Sequence, residues 1–201
     1  MAHLILVFIR NQIFHITVTN DFQYRIWDNR TDVKLTKAVF SQNIIDVKYR
    51  SDYFCIILEN KINIMPVKDL SNKHKFTTRP NTFGVAAFSK NEDIRLCAFP
   101  GDEEEGDIMI YNLDTKNKTS IFANYSKNGY DLTWLEFNQD GEMLAWATTE
   151  GKTIHLYNSS DGKLIYTLSR GFTSAIIKFL SFEYHEKDQK GKFLIIFTIF
   201  Y

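Results

Sequence analysis

The chain has 201 residues, 44% of them hydrophobic and 24% charged, which is enough apolar material for a substantial core. Its 24 Lys and Arg offset 24 Asp and Glu, a balance that excludes bulk nucleic-acid affinity but leaves room for a local basic pocket. Two cysteines, Cys55 and Cys97, stand far apart inside apolar runs; the spacing suits neither a metal site nor a disulfide framework and predicts buried thiols in a reducing compartment.

The opening "MAHLILVFIRNQ" has an apolar run too short for a signal peptide. Arg10 interrupts it quickly and no small-residue cleavage site follows. Beyond it the apolar runs are short, rich in Phe, Tyr, Ile and Thr, and separated by turn residues, a strand composition. "YFCIIL" precedes "ENK" and "INIMPV"; "GDIMIYNL" precedes "DTKNKTSIFA". "LTWLEF", "NQDG" and "EMLAWATT" follow in order, then "TIHLYN", "SSDG" and "KLIYTL". Asp140-Gly141 and Asp161-Gly162 predict tight hairpins, since glycine accepts the positive φ they require. No amphipathic helix is predicted. The closing "GKFLIIFTIFY" has an apolar run of about nine residues where a membrane-spanning helix needs about 20. It predicts a strand, and no transmembrane segment is expected.

A repeat runs through these elements. "YRIWDN" (24–29), "INIMPVKD" (62–69), "IMIYNLD" (108–114) and "IHLYNSSD" (154–161) recur every ~40 to 46 residues, the spacing of WD-type propeller blades. The fold class expected is all-β: a WD-repeat β-propeller, incomplete, with about four blades plus part of a fifth. A β-sandwich with regular hairpins is the competing architecture. One partial propeller domain, 1–201, is expected, with blade-like units at about 4–38, 39–78, 79–120, 121–165 and 166–201. Each four-stranded unit must stack on neighbours to bury its faces. Trp27, Trp134 and Trp146 are expected to pack between or within blades.

Chemical motifs are sparse. "GDEEEGD" (101–107) lacks the spacing of a calcium loop and reads as a solvated connection. "YHEKD" (184–188) has no second histidine at metalloprotease spacing. No nucleophile–base motif and no Gly-rich phosphate loop occurs, so neither catalysis nor a cofactor is expected. Sequons at Asn29 and Asn158 carry no weight without secretion. "LSRG" (168–171) remains. On residues alone, an arginine before glycine at a strand end is either a solvated charge or half of an anion site.

Longer stretches resemble one family. "FSQNIIDVKYRSDYFCIILENKINIM" (40–65), "RLCAFPG" (95–101) and "FNQDGEMLAWATTEGKTIHLYNSSDGKLIYTLSRG" (137–171) resemble, in order, segments of the PROPPINs. These are seven-bladed, WIPI-type propellers that bind phosphoinositides in autophagy. The resemblance runs from about Leu4 to about Leu194. It implies that the chain starts in the second blade and holds blades two to five with the beginning of a sixth. Such a set cannot close a seven-bladed ring. Exposed blade faces, an unpaired edge at "FLIIFTIF" (193–200) and a marginal or oligomeric isolated chain are therefore expected.

The resemblance also assigns roles. The family motif is Phe/Leu-Arg-Arg-Gly, with each arginine anchoring one phosphoinositide head group on opposite sides of a blade edge. Here it reads Leu168-Ser169-Arg170-Gly171. Arg170 is the expected main ligand, because a planar guanidinium donates paired hydrogen bonds to phosphate and stays charged. Gly171 is the expected bend. Ser169 replaces the other arginine and brings no charge. Around that first site the family histidine aligns near Asn128, Thr148 keeps a hydroxyl, Lys152 replaces a threonine and His155 replaces an arginine. Lys152 would restore part of the lost charge; His155 would do so only below about pH 6.5.

The implied function is a non-catalytic peripheral membrane adaptor. It would bind phosphatidylinositol 3-phosphate or 3,5-bisphosphate and recruit autophagy proteins, among them a lipid-transfer partner docking near the early blades. No nucleic-acid partner is expected. The implied location is cytoplasmic, on phagophore-assembly, endosomal or vacuolar membranes. The alternative is a protein-binding propeller scaffold that has lost lipid recognition.

Overall fold

Short apolar runs punctuated by turn residues pair with their sequence neighbours, and every sheet formed is an antiparallel meander. The computed structural model describes residues 3–9, 12–19, 23–28, 33–183 and 193–199, with side chains described for 40–182. The "YHEKD" run and the side chain of Trp27 lie outside the described residues. Two compact units are distinguished, Met1–Gly84 and Val85–Tyr201.

The first unit has two four-stranded sheets. One contains β1 (His3–Ile9), β2 (Gln12–Thr19), β3 (Gln23–Asp28) and β4 (Val33–Val39). The other contains β5 (Ile44–Tyr49), β6 (Tyr53–Leu58), β7 (Lys61–Pro66) and β8 (His74–Thr77). β6, the "YFCIIL" run, is buried along its whole length, and Cys55 is inaccessible within it. Phe54, Ile56 and Leu58 point to one face, where Ile44, Val47 and Met65 join them.

The second unit has two further four-stranded sheets and a hairpin. The first sheet contains β9 (Ala87–Phe88), β10 (Leu96–Pro100), β11 (Ile108–Asn112) and β12 (Lys118–Ile121). The second contains β13 (Leu132–Phe137), β14 (Met143–Thr148), β15 (Thr153–Asn158) and β16 (Leu164–Ser169). The hairpin pairs β17 (Ile176–Glu183) with β18 (Phe193–Ile199). The four repeated segments of the sequence each coincide with a third strand: β3, β7, β11 and β15.

Successive sheets of this unit stack face to face. Ala87, Leu96, Ala98, Ile108 and Ile110 of one sheet pack with Leu135, Phe137, Leu144 and Trp146 of the next. The other face of β14 carries Ala145 and Ala147, which meet Ile177 and Leu180 of β17 with Ile154. Small residues on that face let the strands approach closely. Trp134 works between sheets as expected: its Nε1–H donates to Leu180 O at 3.1 Å and its ring lies 5.5 Å from that of Phe179.

Both predicted Asp-Gly turns form, with φ of 76° at Gly141 and 68° at Gly162. Asn112 and Asn158 close equivalent turns after β11 and β15. Each side-chain oxygen accepts backbone N–H groups two and three residues on, which is the turn chemistry that favours Asn there.

The acidic run is only partly the solvated connection expected. Residues 102–105 are exposed, but Asp107 is buried. Its carboxylate accepts the Glu103 N–H at 3.2 Å, and its carbonyl accepts the Gly101 N–H at 2.9 Å. Burial pushes the Asp107 carboxyl above the usual carboxylate range, and the charges of Asp102 and Glu103 add to this. A Cβ at Gly101 would overlap that carboxylate, so the "Ala-Phe-Pro-Gly" sequence ends in glycine for want of room. Gly101→Ala is expected to destabilise the chain by about 2 kcal/mol or more. Combining it with Asp107→Ala should recover part of that loss, as read by denaturant unfolding of the full double-mutant cycle.

Candidate functional site

The hairpin β15–β16 is in register with Thr153 opposite Ser169 and His155 opposite Thr167. These four side chains share the face that carries Trp146, since His155 pairs with Trp146 across β14–β15. The His155 ring stacks on Trp146 with centroids 4.4 Å apart. Its Nε2 lies 3.2 Å from Thr153 Oγ1 and its Nδ1 3.1 Å from Thr167 Oγ1. Thr148, at the end of β14, is buried, and Ser169, at the end of β16, is exposed. Asn128 closes a short 3-10 turn, Tyr125–Asn128, and is exposed.

Glu150 was not a candidate in the sequence, yet it governs this group. Its Oε1 accepts from Tyr130 Oη at 3.2 Å and pairs with Lys152 Nζ at 3.2 Å. The ammonium expected to compensate for the missing arginine is therefore held by a carboxylate. Burial pushes the His155 imidazole below its usual value of 6.5, and Glu150 offsets only part of this. At neutral pH the face of Ser169 has hydroxyls and a neutral imidazole, and the Glu150–Lys152 ion pair nearby is internally balanced.

Arg170 is placed differently. It follows Ser169 directly, so the two side chains project to opposite faces. Its backbone N–H donates to Lys152 O at 2.8 Å, extending the ladder beyond β16. Nε–H donates to Gly151 O at 2.6 Å, and Nη2 donates to Thr173 O. These acceptors are neutral carbonyls, so neither bond cancels the positive charge. The side chain is half-buried at the rim. Gly171, after it, has open space where a Cβ would stand.

Gly151 is the hidden member of the site. At φ 60° a Cβ there would overlap Ala175 O, so only glycine lets the β14–β15 turn pass beneath the segment leading into β17. That passage presents the carbonyl that Arg170 binds. Of the six candidate residues, Thr148, His155 and Ser169 share the Trp146 face, Arg170 and Gly171 follow on the other side, and Lys152, opposite Arg170 in the ladder, pairs with Glu150. The Thr153 and Thr167 contacts depend on a register shift between Leu156 and Tyr157, which the Asp161-Gly162 turn does not announce. The Glu150–Lys152 pair had only a two-residue spacing to suggest it.

Four-stranded meanders stacked through both faces, with polar side chains gathered where two hairpins end, define a blade-built β-propeller protein. A family model described as PROPPIN matches residues 5–189. The chain belongs to the PROPPIN family.

Among relatives, Autophagy-related protein 18 of Caenorhabditis elegans is 28% identical over 68% of this chain and 33% of its own length. The human WD repeat domain phosphoinositide-interacting protein 1 is 24% identical over 78% of this chain and 34% of its own length. The chain spans about a third of the length of these relatives. Kluyveromyces lactis Hsv2 superposes with a TM-score of 0.73 at 18% identity, covering 94% of this chain and 56% of Hsv2. A complex of KlAtg21 with the coiled coil of AgAtg16 matches with a TM-score of 0.69 at 13% identity, covering 86% of this chain and 57% of the matched one.

A histidine whose folded pKa is depressed adds stability above its unfolded value, and the contribution is lost as pH falls through the folded value. Acidification below 6.5 is therefore expected to destabilise the chain through His155. An NMR titration, with the His155 resonance assigned from a His155→Phe spectrum, should give a midpoint below 6.5. His155→Phe should also flatten the acid limb of a thermal-stability profile.

Proposed function

We propose that this chain is a phosphoinositide-binding, peripheral membrane adaptor of autophagy that uses the Arg170 face alone. The observation that carries the reading is the asymmetry between the two faces. Arg170 keeps a guanidinium at the rim, where its Nε and Nη2 donate to the carbonyls of Gly151 and Thr173. The other face has Ser169 where the family motif has an arginine, and the nearby Lys152 ammonium is paired with Glu150. Phosphatidylinositol 3-phosphate or the 3,5-bisphosphate is the proposed lipid, met on phagophore-assembly, endosomal or vacuolar membranes. The name of the human relative supports phosphoinositide binding, and that of the nematode relative supports autophagy. The KlAtg21–AgAtg16 complex supports an autophagy protein as a second partner. Among the described residues no helix is long and apolar enough to cross a membrane, and no group of three or more His, Cys, Asp or Glu is placed to hold a metal. The reading is non-catalytic, and it treats the sheet units along the chain as blades of one propeller domain.

The second reading is a scaffold that binds proteins and has lost lipids; the Lys152–Glu150 pair favours it. Vesicle sedimentation with and without phosphatidylinositol 3-phosphate separates the two. Arg170→Ala is expected to lose tenfold or more in lipid-dependent pelleting, because a charge-assisted hydrogen bond contributes about 1.5–3 kcal/mol. A melting curve checks that the variant folds. Ser169→Arg combined with Glu150→Gln is expected to strengthen binding by about tenfold by restoring the other face. Equal pelleting of wild type and Arg170→Ala, with and without the lipid, would establish the scaffold.

A further inference from the structure

Phe172 is 98% exposed, the most exposed of the large hydrophobic residues described. It stands on the 171–174 loop between β16 and β17. That loop is held from beneath, because Arg170 Nη2 donates to Thr173 O and Ala175 N–H donates to Glu150 O at 3.3 Å. A phenyl ring on an anchored loop is costly to leave in water. The apolar exposure continues along the same edge. β16 ends its sheet, and Leu164, Ile165 and Tyr166 on it are 54%, 49% and 59% exposed.

We infer that the 171–174 loop is a membrane contact in which Phe172 enters the lipid surface beside a head group held at Arg170. The inference rests on the reading given under Proposed function. Phe172 follows Arg170 by two residues, so their Cα atoms lie at most about 7 Å apart. The polar layer on one side of a bilayer is about 5–8 Å thick. A phosphoinositide bound at Arg170 through its head group thus brings Phe172 within reach of the boundary where acyl chains begin. Aromatic side chains are favoured at that depth. A single cationic ligand gives weak, reversible attachment, and a second apolar contact from the same loop multiplies it.

The test uses the full chain, vesicles of phosphatidylcholine and phosphatidylserine with or without phosphatidylinositol 3-phosphate, and soluble inositol 1,3-bisphosphate. Phe172→Ser is expected to bind the soluble head group as wild type does and to lose about tenfold in affinity for the 3-phosphate vesicles. Phe172→Trp, read as a difference from wild type, should shift to the blue on those vesicles and be quenched by brominated acyl chains. Undiminished vesicle affinity in Phe172→Ser, or Phe172→Trp emission that vesicles leave unchanged, overturns the inference while head-group binding stands. An emission shift evoked only by an autophagy coiled coil overturns it in favour of a protein contact. A wild-type chain that binds neither the head group nor the vesicles removes the underlying reading and the inference with it.

Discussion

Burial of one strand from both sides is the constraint on which the architecture depends. β14 turns Leu144 and Trp146 toward the preceding sheet and Ala145 and Ala147 toward the following hairpin. β6 and β10 are likewise buried along their whole lengths. A strand enclosed in this way has no side chain left for chemistry, which moves to turns and outer edges. Asn-capped turns and the anion-like site both lie there, at the ends of hairpins whose registers the core has already set. Function in such a protein is confined to the rim by packing, and the residues that tune it are the ones that packing leaves exposed.

At that rim the balance of charge decides more than the presence of any one residue. Ser169 brings no charge to its face, and Lys152 is the cation nearest to it across the hairpin end after Arg170 itself. Glu150 intercepts the ammonium and also orients Tyr130. Burial holds the His155 imidazole below its usual value, and Glu150 offsets only part of this. The same hairpin carries Arg170 to the opposite face, where its Nε and Nη2 donate to backbone carbonyls. One strand end therefore presents two sites of different electrostatic character, separated by a single peptide bond.

Much of the fold was legible because propeller blades use local signals. Asp140-Gly141 and Asp161-Gly162 announced their turns, and the third strands announced the repeat through an apolar run closed by a polar turn, with an aromatic residue before the turn in three of the four. The PROPPIN resemblance was carried by motifs in order, and the family match agrees with it. What stayed hidden depends on contacts across turns. Gly101 and Gly151 are glycines because Asp107 and Ala175 crowd them, and sequence spacing does not report crowding. The buried Asp107 looked like one more solvated acid in a run of acids. Glu150 looked like a turn residue, and its pairing appears only when Tyr130, Lys152 and His155 are brought around it.

Arg170 links the binding site to the loop that follows it. Its Nη2 donor holds Thr173 O, and a phosphate must share the guanidinium with that carbonyl and with Gly151 O. A bound anion that takes only one donor direction leaves the loop pinned, with Phe172 presented at a fixed height. A bidentate anion draws the guanidinium away from Thr173 and frees the loop that carries the phenyl ring. Head-group grip and loop order therefore compete for the same planar group. In a site with a second arginine that competition is relieved, because another residue shares the phosphate. On the proposed lipid-binding reading, Ser169 leaves that competition in place, and the apolar loop is the contact that would keep a weakly held head group at the surface.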